Sequence, residues 1–509
     1  MFETCRWLAA ITHMRCLALQ LAAISASAAA VSSCAPAPDA TPDGITREGL
    51  PRFETIDANA DFPVSVPSSW DSLRGYLVVA EDRASAEPRE LRLPVAMVRA
   101  RTPEPGRAPV LFLPGGPGLG SLSAAAYPGA YPWTSDRDFI VFGRRGSVHA
   151  EPSLMCEQIG DALVRADRPN APALIDAVTT CRETLEAGGI DPDQYNSAAH
   201  AADIEDLRQV LDIEQWGLFG LSYGTRVALT LVRDYPDTVE SMVLDSPLPH
   251  TARYDDESVS NYEAALRSVA DACEADESCA AAHPNLAERY FAQVERAKNE
   301  PLTLLGEGDT ERSVSAAELA GVTTLGSRAA LARAPLIMDA AARLDGNILA
   351  PLLDARGSPS NYAWGLRLSV WCSEAHPFSE RASAPVPEDR FGGLDGAVFH
   401  PDVCEAWDVS QRPEAEIEPT RSAVPTLIIA GEYDVLTPPR WADDAARFLD
   451  RARVVVIPDG FHGETTNWGG DGCAMSLAAA FFDDPATIVD APSAECLTGG
   501  QPPEFVVRE

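Results

Sequence analysis

The chain has 509 residues, of which 46% are hydrophobic, 23% charged and 7% aromatic. This composition is typical of a globular protein and excludes a disordered tail, a collagen and a polytopic membrane protein. The formal charge is −36, from 40 lysines and arginines against 76 aspartates and glutamates. Because so acidic a surface repels phosphate backbones, we expect no nucleic-acid partner. The length predicts either two domains or one fold with a large insertion.

The N-terminal residues have the pattern of an export signal. Arg15 precedes an uncharged run, and the apolar stretch 16–31 is too short and alanine-rich for a transmembrane helix. The run ends in Val-Ser-Ser-Cys34, which resembles a bacterial lipobox whose cysteine is acylated after cleavage. We therefore expect a bacterial envelope protein, lipid-anchored through Cys34 alone and facing the periplasm or the exterior. Plain export with cleavage near residues 28–30 is the alternative.

The eight cysteines that remain when Cys5, Cys16 and Cys34 are set aside support an oxidising compartment. Their number is even, and they fall into four couples of sequence neighbours, which predicts disulfides between neighbours among many possible connectivities. The eight are Cys156, Cys181, Cys273, Cys279, Cys372, Cys404, Cys473 and Cys496. No zinc-ligand spacing occurs, and no motif implies a metal or another cofactor.

In the first and the last part of the chain, short apolar runs typical of buried strands alternate with segments whose apolar residues have helical spacing. Strands are predicted at 75–80, 91–100, 109–113, 139–142, 216–219, 239–244, 426–430 and 454–457. Helices are predicted at 199–211 and 225–232, between strands, and this rhythm is typical of a mostly parallel α/β sheet with right-handed crossovers.

The middle of the chain lacks strand alternation and is rich in Ala, Glu and Arg. Its clearest predicted helices are 263–272 and 336–344, the latter following Pro335 at its first position. We interpret this stretch as a helical cap inserted between two halves of one sheet. The predicted organisation is a signal peptide at 1–33, a tether at 34–60, the first part of the core at 61–250, the cap at 251–419 and the C-terminal part of the core at 420–509.

Three loops that follow predicted strands carry the candidate catalytic residues. Gly220-Leu-Ser222-Tyr-Gly224 is a G-x-S-x-G sequence between a strand and a helix, which predicts an exposed nucleophile on a strained turn. A serine nucleophile needs a base and an oriented acid, in the chain order Ser, acid, His. Asp434 and His462 fit this order, with Glu432 and Asp245 as reserve acids.

The oxyanion of an acyl-transfer reaction needs two N–H donors. One is expected from Tyr223, directly after the nucleophile, and the other from the loop at Gly115 and Gly116.

These motifs resemble the α/β-hydrolase serine peptidase family of prolyl and tripeptidyl aminopeptidases, and most of all its long, secreted tripeptidyl type. The resemblance covers residues from about 75 to 496. It rests on GGPG at 115–118, SYGT at 222–225, GEYDVLTP at 431–438, and the C-terminal His462-Gly463, Cys473, FFDD at 481–484 and Cys496. It implies the α/β-hydrolase fold with a cap. The segments WCSE at 371–374 and CEAW at 404–407 resemble the C-terminal end of the cap in that family.

The chain departs from the family at three places. Pro114 stands where histidine is usual, Phe461 often corresponds to glycine, and the family's D-x-R-G appears as Gly143-Arg144-Arg145-Gly146 without its acid. Phe461 and the Gly-Arg-Arg-Gly stretch are expected to line the region that holds the acyl group.

The resulting hypothesis is an exported serine aminopeptidase that acts on small peptides through an acyl-enzyme on Ser222. An exopeptidase must bind the charged α-amino group, and Glu374 is the candidate carboxylate, as the cap-borne glutamates of prolyl aminopeptidases imply. The alternatives are a carboxylesterase or amidase with the same triad and a non-catalytic binding module. The sequence does not specify the oligomeric state.

Overall fold

The computed structural model describes residues 49–57, 60–165, 171–306, 311–355, 362–380, 400–467, 472–486, 497 and 504–507. The predicted signal peptide, most of the tether, Cys34 and Cys496 lie outside these residues. Among the helices described, none is both long and apolar enough to cross a bilayer. Residues 50–509 cluster as one unit.

Eleven strands lie in the described residues, and nine of them form one sheet. Their bounds are β1 Arg52–Thr55, β2 Ser72–Ala80, β3 Glu90–Val98, β4 Val110–Leu113, β5 Phe139–Phe142, β6 Trp216–Leu221, β7 Val239–Asp245, β8 Leu302–Leu305, β9 Glu311–Val314, β10 Thr426–Gly431 and β11 Ala452–Ile457. The large sheet has the order β1-β2-β3-β5-β4-β6-β7-β10-β11, and β8 pairs only with β9.

The large sheet is antiparallel from β1 to β5 and parallel from β5 to β11. Its central strands β4 and β5 are buried at every residue, which explains their continuous apolar sequences. All eight predicted strands are confirmed. Because parallel strands end at the same edge, the loops after β4, β5, β6, β7, β10 and β11 meet at the carboxyl edge of the sheet.

Fourteen α-helices lie in the described residues. Their bounds are α1 Glu157–Arg165, α2 Pro172–Ala187, α3 Ser197–Val210, α4 Tyr223–Asp234, α5 Tyr254–Ala275, α6 Glu277–Ala282, α7 Leu286–Asn299, α8 Ala316–Gly321, α9 Arg328–Arg343, α10 Gly346–Asp354, α11 Trp364–Glu374, α12 Pro401–Trp407, α13 Pro439–Ala446 and α14 Cys473–Asp483. Helices cover both faces of the sheet, with Val227 of α4 in the core of one face and Phe481 of α14 in the core of the other.

The predicted position of Pro335 is wrong. Pro335 lies inside α9 rather than at the start of a helix. The helix begins two turns earlier because the Ser327 side chain caps it, accepting a hydrogen bond from the Ala330 N–H at 3.1 Å.

The stretch expected to be one helical cap has two parts. Residues from α5 to α10, together with the β8–β9 pair, bury their apolar side chains in a separate core that includes Tyr433. Helices α11 and α12 belong instead to the main core against the sheet, and all eleven residues of α11 are buried. The described helices at 364–374 and 401–407 therefore pack as part of the hydrolase core, unlike the expected cap that runs to residue 419.

Candidate active site

Ser222 occupies a sharp turn between β6 and α4. Its backbone angles are φ 56° and ψ −124°, a conformation that non-glycine residues rarely adopt and that clusters at functional sites. The turn is held because the Ser222 N–H donates to the Asp245 carbonyl at 2.9 Å, and the Thr225 N–H donates to the Ser222 carbonyl at 2.9 Å. Ser222 is half-buried at the carboxyl edge of the sheet.

Close packing beneath the turn requires a glycine. A Cβ on Gly224 would lie 1.9 Å from the Leu113 carbonyl oxygen of β4, well inside any allowed contact. The second glycine of the G-x-S-x-G sequence thus lets α4 lie directly against the sheet.

His462 and Asp434 form a hydrogen-bonded pair. The His462 Nδ1 lies 3.0 and 2.9 Å from the two carboxylate oxygens of Asp434. The Leu436 and Thr437 backbone N–H groups each donate to Asp434 Oδ1 at 2.9 Å, and the Thr437 hydroxyl donates to Oδ2 at 2.8 Å. These bonds fix the carboxylate and leave Nε2 of His462 as the ring nitrogen that does not face it.

The contact between Asp434 and His462 shifts the pKa values of both residues in the directions expected of an acid–base pair. Burial alone would raise the pKa of Asp434, but the charge and hydrogen bond of His462 and the bonds from Thr437 hold it below its ordinary value. Burial alone would lower the pKa of His462, but the Asp434 carboxylate outweighs this effect and raises it above its ordinary value.

The end of β7 holds the serine turn and the histidine loop beside each other. The Asp245 carbonyl accepts from Ser222, while its side chain accepts from the Thr465 N–H at 2.8 Å. The next residue, Ser246, accepts from the Gly463 N–H at 2.9 Å through its hydroxyl. The loop that carries His462 is thus fixed next to Ser222.

The reserve acids have other partners. The Asp245 carboxylate binds Thr465 rather than His462, and burial raises its pKa. Glu432 accepts from the Asp459 N–H at 3.0 Å. Of the three candidate acids, Asp434 is the one that hydrogen-bonds His462.

The glycine loop after β4 contacts the serine. A Cβ on Gly115 would lie 3.0 Å from the Ser222 Cβ and 3.4 Å from its Oγ, so a side chain at this position would crowd the serine. Tyr223 begins α4 directly after Ser222. Within the described part of the chain, no acceptor is found for the N–H groups of Gly116 and Tyr223. Two amide donors are thus present on the two segments that flank Ser222.

The structure corrects the expectation that Glu374 binds a substrate amine. Its side chain is 4% exposed and forms an ion pair with Arg226, Nε to Oε2 at 3.1 Å. Its Oε1 accepts from the Ser197 N–H and its Oε2 from the Ser197 hydroxyl at 2.7 Å. Both oxygens are bonded inside the protein, so Glu374 joins α11 to α3 and α4 and does not face a substrate.

The two arginines of the Gly-Arg-Arg-Gly turn after β5 differ in their partners. Arg145 is buried and forms a bidentate pair with the buried carboxylate of Asp203, with both distances 2.7 Å. It also donates to the carbonyls of Glu81 and Gln194. Arg145 therefore ties the end of β5 to α3, whereas Arg144 turns toward the glycine loop.

No group of three or more His, Cys, Asp or Glu side chains in the described residues is placed to hold a metal ion.

Two family models match the sequence of this chain. A family model described as "alpha/beta hydrolase fold" matches residues 108–303, and one described as "TAP-like protein" matches residues 395–496. Together the two matches span more than half of the chain and contain Ser222, Asp434 and His462. The chain belongs to the α/β-hydrolase family.

Individual relatives of this α/β-hydrolase are distant. It is 24% identical to "Serine protease Hip1" of Mycobacterium tuberculosis over 417 residues, 72% of this chain and 77% of that protein. It is 27% identical to "Putative hydrolase YuaR" of Escherichia coli over 189 residues, 35% of this chain and 36% of that protein. Among solved structures, the proline iminopeptidase of Mycobacterium smegmatis is 15% identical with a TM-score of 0.37, over 78% of this chain and 95% of that one.

Three disulfides of the hydrolase join the predicted neighbours. The pairs are Cys156–Cys181, Cys273–Cys279 and Cys372–Cys404. Cys473 is also disulfide-bonded. Its predicted partner Cys496 lies outside the described residues, so that pairing stays a prediction.

Sequence reasoning missed several residues that build the site. Thr437 stands three positions after Asp434 within the motif that identified the acid, and its place in that motif was a signal that it could bind the carboxylate. Ser246 follows β7 with φ 56°, but no motif marks it. Arg144 was seen only as part of a turn that lacks the family's acid.

Proposed function

We propose that this α/β-hydrolase is a serine peptidase that removes short peptides or single residues from the amino end of small peptides. The observation that carries the proposal is the strained Ser222 turn, joined through the end of β7 to the loop of the Asp434–His462 pair. The "Serine protease Hip1" relative and the "TAP-like protein" match support serine-peptidase chemistry, and the aminopeptidase class is proposed from the resemblance of the motifs.

In the proposed mechanism each group has one role. Ser222 Oγ attacks the scissile carbonyl carbon, and its proton passes to His462 Nε2. Asp434 accepts from the Nδ1–H, which fixes the tautomer and stabilises the imidazolium that forms. The N–H groups of Tyr223 and Gly116 stabilise the oxyanion. His462 then protonates the leaving amine, and a water molecule, activated by His462, hydrolyses the acyl-enzyme and frees Ser222.

The insertion between β7 and β10 supports selection of small substrates. Tyr433 packs in the core of the insertion, while its neighbour Asp434 bonds His462, so the insertion lies against the acid loop. The first turn of α5 is fixed nearby, because Asp255 accepts from the Trp371 indole N–H at 2.8 Å and Glu257 from the Trp441 indole N–H at 2.8 Å. A helical layer beside the site would exclude folded proteins.

A carboxylesterase or amidase is the second candidate. The observation that favours it is the burial of Glu374, because the carboxylate expected to recognise an α-amino group is bonded inside the protein. The chemistry at Ser222 would be the same, and the substrates would carry no free amine.

A substrate panel separates the two candidates. Chromogenic peptides of one to four residues, each with a free or an acetylated amine, are compared with a p-nitrophenyl ester, and Ser222→Ala serves as the blank. For an aminopeptidase, acetylation should lower kcat/KM at least about tenfold, because a charge-assisted bond to the amine is lost. Equal kcat/KM for free and acetylated peptides would contradict the aminopeptidase, and hydrolysis of the ester alone would establish the esterase.

We also propose that the protein is exported and held at the membrane by a lipid on Cys34. The three disulfides within the described residues support an oxidising compartment. Cys34→Ser expressed in a bacterium should move the protein from the membrane fraction to the soluble fraction, whereas Cys16→Ser should leave it in the membrane fraction. Continued membrane association of Cys34→Ser would contradict the anchor.

A further inference from the structure

Arg144 is a buried cation that gathers the carbonyl groups of the glycine loop. Its side chain follows β5, and the residue is 1% exposed. One nitrogen, Nη2, donates to three backbone carbonyls, those of Gly115 at 2.8 Å, Pro117 at 3.1 Å and Leu119 at 2.9 Å. Three carbonyls from five consecutive residues thus converge on one atom, so the curvature of the loop depends on Arg144.

These bonds set the direction of an amide donor. In a planar trans peptide the C=O and the following N–H point in opposite directions. Because the Gly115 carbonyl is directed at Arg144, the Gly116 N–H is directed away from it. Gly115 also lies against Ser222, so this peptide is held next to the nucleophile.

Arg144 also contacts the residue that carries the other donor. Its guanidinium carbon lies 5.1 Å from the centre of the Tyr223 ring, within the range of a cation–π contact. The Tyr223 hydroxyl is itself held, at 2.9 Å from the Ser197 hydroxyl and 3.0 Å from the His200 Nδ1. Arg144 therefore connects the two segments on which the proposed oxyanion donors lie.

The charge of Arg144 has no carboxylate partner among the described residues. Burial lowers its pKa to about 10, which leaves it protonated at neutral pH. Burial and the charge of Arg144 also lower the pKa of His200, which is therefore neutral. The neighbouring Arg145 is neutralised by Asp203. A buried cation without a counter-charge costs stability, and such costs are commonly found at functional sites.

We propose that Arg144 is a positioning residue that fixes both halves of the oxyanion hole. The proposal rests on the proposed function, in which Ser222 is the nucleophile. Because the oxyanion exists only in the transition state and the tetrahedral intermediate, loss of Arg144 should lower kcat and leave KM nearly unchanged.

The test compares Arg144→Met, Arg144→Lys and Arg137→Met with a p-nitrophenyl ester as substrate, so that it does not depend on amine recognition. Arg137 is a suitable control because its side chain is also fully buried, but it precedes β5 at the opposite end of the strand, near Asp136 and Asp483. The readouts are kcat, KM and the Ki of a trifluoromethyl ketone, which forms an oxyanion adduct with a nucleophilic serine.

Arg144→Met should lower kcat about 10- to 100-fold, which is less than the loss of a donor itself would cause. It should raise the Ki of the ketone by a similar factor. Arg144→Lys should recover part of the kcat and part of the affinity for the ketone, since an ammonium group can donate to the same carbonyls. Arg137→Met should change kcat and Ki less than twofold.

A kcat of Arg144→Met within twofold of the parent, or a change in KM alone, would overturn the proposal. If Arg144→Met does not fold, Arg144→Gln decides, because its uncharged amide cannot hold all three carbonyls, and parental kcat and Ki in that variant would overturn the proposal. Failure of the proposed function is distinguishable, because Ser222→Ala would then retain ester hydrolysis whatever the Arg144 variants do.

Discussion

Replacement of Ser222 by alanine is expected to lower kcat/KM by at least about 10⁴-fold on every substrate that the protein hydrolyses. The substitution removes the atom that forms the acyl-enzyme. It leaves the Ser222 N–H bond to Asp245 and the Thr225 bond to the Ser222 carbonyl in place, since both are made by the backbone. The measurement is steady-state hydrolysis by the purified variant, together with its thermal unfolding.

Ser241→Ala is the matched control for this loss. The Ser241 hydroxyl is buried in β7 and has no hydrogen-bond partner in the described residues, so its removal should leave activity unchanged. Ser222→Ala with a tenth of the parental activity, in a preparation free of other hydrolases, would show that Ser222 is not the nucleophile.

Asp434→Asn is expected to lower kcat/KM by about 10³- to 10⁴-fold. An asparagine amide can donate to Nδ1 and so favour the tautomer in which Nε2 carries the proton and cannot accept one from Ser222. No reserve acid replaces Asp434, because Asp245 binds Thr465 and Glu432 binds Asp459.

The pH profile provides a second readout for the same variant. The base must be neutral, so kcat/KM is lost as the pH falls through the pKa of His462. Asp434 raises that pKa, which places the acid limb above about 6.5, the ordinary value for histidine. Removal of the carboxylate should move the limb of the residual activity to lower pH.

Glu432→Gln is the control in the same loop. It removes a nearby carboxylate that does not bond His462, and we expect the acid limb to keep its position. An acid limb that is unchanged in Asp434→Asn but shifted in Glu432→Gln would reverse the assignment of the acid.

The strands of the sheet could be predicted because central parallel strands are buried on both faces and so have continuous apolar sequences. Strand β1, with the sequence RFET, was missed because an edge strand needs no such run. The extent of the insertion could not be predicted either. The composition of the middle stretch indicates helices, but it does not indicate which core buries the helix at 364–374.

The Asp434–His462 pair and its place beside the Ser222 turn could be predicted, because the motifs and their chain order single out these three residues together. Glu374 shows the limit of this reasoning. A glutamate in a suitable segment can bind a ligand or an arginine, and only the packing of α11 against α4 brings Arg226 to it. The contacts of Arg144 likewise depend on the path of the glycine loop, which local sequence does not encode.

The insertion has a core of its own, separate from the cores on the two faces of the sheet. The residues of the insertion pack on one another, and its disulfide Cys273–Cys279 closes within that core. The disulfides Cys156–Cys181 and Cys372–Cys404 belong to the core that supports Ser222. Substitutions inside the insertion should therefore disturb the packing beneath Ser222 less than substitutions in α11 do, except near Tyr433, which lies in the core of the insertion next to Asp434.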